Sequence, residues 1–244
     1  MLLARQKDET QELTPLTILF FDRYNAEDPL FVADVARRLS AAAANGLRAI
    51  VLHASDEAAD RAREALGPAD PTTDQADEVV ERAIRMANQS ITRRLIDEGV
   101  PAVSIQGNHR GLFRLAEGGS LELGRTEWLE RTVGMGGVPV ISLLAESAHG
   151  QAVEVDAAEA IGVLTAALSE VRRVTAVYFT TNRKSVLYDA DGSRLESVSR
   201  MRLSSFEEVP QAAAASVECP AVAVFVTNSA GLRPDGSVAG TQIT

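Results

Sequence analysis

Glu154, Asp156 and Glu159 are the residues whose types and spacing most readily do chemistry in this sequence. Carboxylates this close together can bind a cation, pass a proton, or satisfy the free N–H groups at the start of a helix. The last use has a pattern. Asp156 stands where an N-cap belongs and Glu159 follows three residues later, as in a capping box. Capping accounts for two of the acids and leaves Glu154 unexplained.

Three further stretches carry polar groups at the ends of apolar runs. These are His53-Ala54-Ser55-Asp56, Gln106-Gly107-Asn108 and Asn182-Arg183-Lys184. Arg183-Lys184 is the clear cation pair at a strand end and can either receive a phosphate or offset an acidic surface. His53, His109 and His149 lack metal-ligand spacing, so no metal is expected. Ser55 and Ser147 have no partnered histidine and acid that the sequence identifies, which leaves a hydrolase without support.

The elements that must position these groups follow from periodicity. Leu16–Phe21, Arg48–His53, Pro101–Ile105, Val138–Leu144, Thr175–Thr180 and Ala221–Thr227 are short apolar runs of strand character. Between them lie helical patterns: Phe31, Val35, Leu39 and Ala42, ended by Asn45-Gly46; a helix from Asp56 to Leu66; and a long helix from Asp74 to Glu98. That last helix carries Val79, Ala83, Met86, Ile91 and Leu95 as its apolar set. Gln106–Gly119 reads as a loop, Ser185–Tyr188 as an edge strand, and Pro210–Ser216 as an Ala-rich helix. A helix from Ala157 follows the three acids, with Ala160, Ile161, Leu164 and Leu168 on one side. Strand–helix alternation predicts an α/β fold, a three-layer αβα sandwich with a mainly parallel central sheet. The acids then sit at the strand-to-helix junction where open α/β sheets bind ligands.

Composition bounds the rest. The chain has 244 residues, 45% of them hydrophobic, and a formal charge of −10. Such a balance suits a core-forming protein and argues against nucleic acid or an anionic membrane as partner. Cys219 is the single cysteine, which excludes an internal disulfide. No apolar run approaches the length of a membrane span, and no signal-peptide core is present. A cytoplasmic location is the expectation.

Gly137-Val138-Pro139-Val140-Ile141, the Gly150-Gln151 turn running to Val155, Leu187-Tyr188-Asp189-Ala190-Asp191-Gly192, and the terminal Gly240-Thr241-Gln242-Ile243 occur in an order and spacing that resemble the amino-acid kinase family, most closely acetylglutamate kinases. The similarity covers Thr17 to the C-terminus. It implies one domain over residues 1–244, an N-terminal half like the substrate and dimer lobe, and a C-terminal half like the nucleotide lobe. It also implies a homodimer, or a hetero-partner of an active kinase, and a link to arginine biosynthesis.

The phosphoryl-transfer groups that the resemblance calls for are missing. The first strand runs Phe20-Phe21-Asp22-Arg23 where these kinases have a lysine and paired glycines. His53 is followed by Ala54-Ser55-Asp56 where they have three glycines. The acid that organises the lysines aligns with Ala158, both neighbouring asparagines have become Glu154 and Asp156, and a second lysine aligns with Val209. Thr181 to Ser185 replaces a further Ser-Asp motif. The expected function is therefore a catalytically degenerate acetylglutamate kinase-like protein that binds a small-molecule metabolite or regulates a partner, without a cofactor. Its ligand candidates are His53, Ser55, Asp56, Gln106, Gly107, Asn108, Glu154, Asp156, Glu159, Asn182, Arg183 and Lys184. The alternative is an active kinase using ATP and Mg²⁺, with Arg23, Arg183 or Lys184 replacing the lysines.

Overall fold

Each long apolar run alternates its side chains between two cores, and this alternation builds the molecule. The computed structural model describes residues 13–66, 73–180, 186–207, 209–210, 212–216, 218–219 and 221–244. The side chains of Asp56 and of residues 73–76 also lie outside that description. In chain order the first half contains β1 (Pro15–Phe21), α1 (Arg23–Glu27), α2 (Pro29–Ala44), β2 (Ala49–His53), α3 (Asp56–Leu66), α4 (Thr73–Asp97) and β3 (Ala102–Gln106). Next come β4 (Phe113–Leu115), β5 (Leu121–Leu123), α5 (Glu127–Gly134), β6 (Val138–Ser142), β7 (Leu144–Glu146) and β8 (Ala152–Glu154). The chain closes with α6 (Ala157–Ser169), β9 (Arg173–Phe179), β10 (Ser197–Val198), α7 (Ala213–Ser216), β11 (Ala223–Thr227) and β12 (Thr241–Ile243).

Eight strands form the main sheet in the order β10-β12-β11-β9-β1-β2-β6-β3. The six from β11 to β3 are parallel, and β12 runs antiparallel to β11 with β10 parallel to it. Leu16, Ile18 and Phe20 of β1, Ile50 and Leu52 of β2, and Val174, Ala176 and Tyr178 of β9 face one core, shared with α5, α6 and α7. Leu19, Phe21, Val51, Val177 and Phe179 face the other, shared with α2 and α4. Helices therefore cover both faces, and the mainly parallel αβα architecture expected from the alternation is what the chain adopts. Phe21, Phe31 and Phe179 pack edge-on, with ring centroids 5.2–5.8 Å apart. The chain adds β2, β3 and β6 to one side of β1 before it returns to add β9 on the other. The direction of strand addition thus switches beside β1.

A second sheet, β5-β4-β7-β8, corrects the sequence reading at two places. Val138–Leu144 is not one strand. It breaks at Leu143, and the two halves serve different sheets. Gln106–Gly119 is not all loop, because Phe113–Leu115 pairs with Leu121–Leu123 as a hairpin. Three-residue strands carry too little periodicity to be read, and their pairing is what makes them strands.

Three smaller corrections concern helix phase and the chain's last third. The buried face of α4 is Val80, Ile84, Asn88, Ile91 and Leu95, while Val79 and Met86 are exposed. Over Ser185–Tyr188, Ser185 is outside the described residues. Tyr188 pairs with Arg194 as an isolated antiparallel bridge, and the Leu187 N–H donates to the Thr241 hydroxyl at 2.8 Å. The α-helix at Pro210–Ser216 is confined to Ala213–Ser216 among the described residues. No described helix is long and apolar enough to cross a membrane.

Candidate functional site

A cleft of about 960 Å³ opens at the carboxyl ends of β1, β2 and β6, beside the point where strand order switches. Phe20, Asp22, Arg23 and Tyr24 form its floor at the end of β1, with Ala54 after β2 and Leu143 after β6. One wall comes from α3 and α4 (Arg63, Asp77, Val80, Glu81). The rest of the lining comes from Ala152–Ala158, with Glu207, Val209, Pro210 and Ala212. Among these described lining residues are six carboxylates and two guanidinium groups.

The guanidinium groups of the lining and the helix starts at Asp22 and Asp156 are already occupied by carboxylates of the chain itself. The Asp22 carboxylate accepts from the Tyr24 and Asn25 N–H groups at 3.1 and 2.7 Å, capping α1 where β1 ends. Asp156 caps α6, accepting from the Glu159 N–H at 3.0 Å. Arg23 pairs with Glu57 at 2.8 Å and lies 3.6 Å from Asp60. Arg63 pairs with Glu154 at 2.6 Å and with Asp60 at 3.0 Å. The hydrogen bond to Glu154 raises the Arg63 pKa further, opposed by burial and helped by the charges of Glu154 and Asp60. Helix starts and guanidinium groups are the usual receivers of phosphate and carboxylate, and here each holds an internal carboxylate.

The remaining candidates sit elsewhere. His53 and Ser55 are buried and do not line the cleft. The Asn88 amide of α4 donates to His53 Nε2 at 3.0 Å and to the Val140 carbonyl at 2.9 Å, and the Ser104 hydroxyl donates to Asn88 Oδ1. With Nε2 accepting, the His53 proton belongs on Nδ1, near the Ala54 carbonyl (3.2 Å) and the Ser55 hydroxyl (3.1 Å). Burial lowers the His53 pKa to about 4, with the Ala54 carbonyl opposing, so the ring is neutral at ordinary pH.

Beyond this network, Gln106 accepts from the Ser142 hydroxyl at 2.8 Å. Gly107 packs so closely that a Cβ there would lie 2.2 Å from the Leu144 carbonyl oxygen. Asn108 Oδ1 is buried without a partner among the described residues. These three residues do not line the cleft. Glu159 reaches back to the Leu121 N–H at 2.9 Å and so ties α6 to β5, instead of closing the box onto Asp156. Asp56 opens α3, and Asn182, Arg183 and Lys184 lie outside the described residues. Of the proposed ligand residues, the described cleft wall contains Glu154 and Asp156.

No family model matches the sequence, and no curated protein matches it. Solved structures do match. N-acetylglutamate synthase from Neisseria gonorrhoeae, complexed with coenzyme A and N-acetyl-glutamate, superposes with a TM-score of 0.66 at 17% identity, over 96% of this chain and 60% of that one. An isopentenyl phosphate kinase gives 0.65 at 15% identity, over 94% of this chain and 100% of its own. Aspartate kinase from Synechocystis gives 0.66 at 15% identity, over 94% of this chain and 39% of its own. The chain has the amino-acid kinase fold. It spans 60% of the length of the synthase.

At its carboxyl end β1 turns straight into α1 under the Asp22 cap. Two residues of consequence escaped the sequence reading. Asn88 had a legible signal, since it is a lone amide on the apolar stripe Ile84, Ile91 and Leu95. Arg63 had none, because its partner Glu154 is 91 positions away.

Proposed function

We propose that this protein is a ligand-binding member of the amino-acid kinase fold that does not transfer phosphoryl groups. In this reading its cleft takes a neutral or cationic metabolite and binds nucleotide poorly, without ATP or Mg²⁺ as cofactor. One observation carries the proposal: the described anion-receiving groups of the cleft, the N-termini of α1 and α6 and the guanidiniums of Arg23 and Arg63, already hold carboxylates of the chain. Phosphoryl transfer needs such groups free and preorganised for charge that develops on the transferring oxygens. The excess of acids around the cleft adds repulsion toward any further anion.

A homodimer completes the reading. The exposed Val79 and Met86 lie one heptad apart on α4, beside the open outer edge of β3 where Val103 is exposed, and a second copy would cover them.

The deciding experiment couples ADP release to a readout, with N-acetylglutamate and Mg-ATP as substrates, and adds a thermal-shift screen of cationic, neutral and anionic metabolites. Background ADP release with a melting-temperature rise for a cationic or neutral compound supports the proposal, since a ligand of the native state stabilises it. Turnover well above background would instead establish the active-kinase alternative.

A further inference from the structure

Arg63 and Glu154 both line the cleft, one on α3 and one at the end of β8, and meet at 2.6 Å. Glu154 is the more enclosed, its side chain 24% exposed against 49% for Arg63. The other arginine of the lining, Arg23, is turned to Glu57 and Asp60 on α3. Arg63 is therefore the cleft guanidinium paired with a carboxylate that itself lines the cleft. Its carboxylate contact has the short length typical of strong charge-assisted pairs.

We propose that Glu154 is a built-in occupant of the cleft's anion position, and that its pairing with Arg63 sets the cleft's preference against anionic ligands. This rests on the cleft being the ligand site. A carboxylate tethered to the same fold competes with any free anion at an effective concentration on the order of millimolar or above. A ligand carboxylate or phosphate must displace it and leave the half-buried Glu154 without its counter-charge. Replacing Glu154 by glutamine keeps the shape and removes the charge, leaving a neutral amide oxygen that competes far less well for the guanidinium. The Arg63 contact to Asp60 remains, and a ligand anion more easily displaces the amide from the nitrogen now bonded to Glu154.

The test is isothermal titration of inorganic phosphate and of succinate, at constant chloride, into wild type, Glu154→Gln, Arg63→Gln and the double variant. Circular dichroism and thermal melts first confirm that each is folded. Glu154→Gln is expected to bind one of the two anions at least about tenfold more tightly than wild type, the scale of one charge-assisted hydrogen bond. The double variant is expected to lose that gain. A gain below about tenfold, or one that survives in the double variant, overturns the role of Glu154. Titration reads affinity and not turnover, so its failure is separate from the outcome of the ADP-release assay.

Discussion

Acid should destabilise this protein well above the carboxylate range, and His53 is the reason. Its ring is wholly buried, accepts from Asn88, and has its pKa lowered from 6.5 to about 4 by desolvation. In the unfolded chain the imidazole takes up a proton near pH 6.5, whereas in the folded protein it resists until about pH 4. The unfolded state therefore binds the extra proton between these values. Stability is complete above about pH 6.5 and falls as pH drops toward 4. At about 1.4 kcal/mol per pKa unit the full loss is about 3 kcal/mol, of which about 2 kcal/mol is spent between pH 8 and pH 5.

Urea unfolding at pH 8, 7, 6 and 5 measures this directly. The same series on His53→Gln removes the titration while leaving an acceptor for the Asn88 amide. The variant should be less stable than wild type at pH 8 and should lose about 2 kcal/mol less than wild type on going to pH 5. Parallel decline of the two proteins would refute the assignment, and would place the acid sensitivity on another group.

Gly107→Ala should cost about 3 kcal/mol, seen as a lower melting temperature, because the added Cβ would meet backbone oxygens of Leu144 and Ser142 at 2.2 and 2.5 Å that cannot rotate away. Asp156→Ala removes the α6 cap and should cost about 1 kcal/mol in urea unfolding; no measurable change would mean that solvent satisfies the Glu159 N–H equally well. Met86→Glu should shift the mass found by light scattering from dimer toward monomer at micromolar protein, and a wild-type monomer would remove α4 as the contact.

Much of the architecture was legible in the chain because its causes are local. Leu16–Phe21, Ala49–His53 and Thr175–Phe179 alternate into two cores, and their β-branched and aromatic runs announce buried parallel strands before any partner is known. The Asp156 cap was likewise visible, since the acid and the N–H it receives are three residues apart.

Tertiary structure decided the rest. The break at Leu143, which sends one apolar run into two sheets, depends on β4 and β8 being nearby to pair with β7. The fate of His53 depends on Asn88, brought from 35 positions away on α4 into hydrogen-bonding range. The meaning of Glu154 depends on Arg63, and that of Glu159 on the Leu121 N–H. A carboxylate's charge is a property of its residue, so the sequence by itself established an acidic strand-to-helix junction. Whether that charge is free for a ligand or spent on a neighbour depends on distances of a few ångströms between segments far apart in the chain, because ion pairs and hydrogen bonds decay over that range.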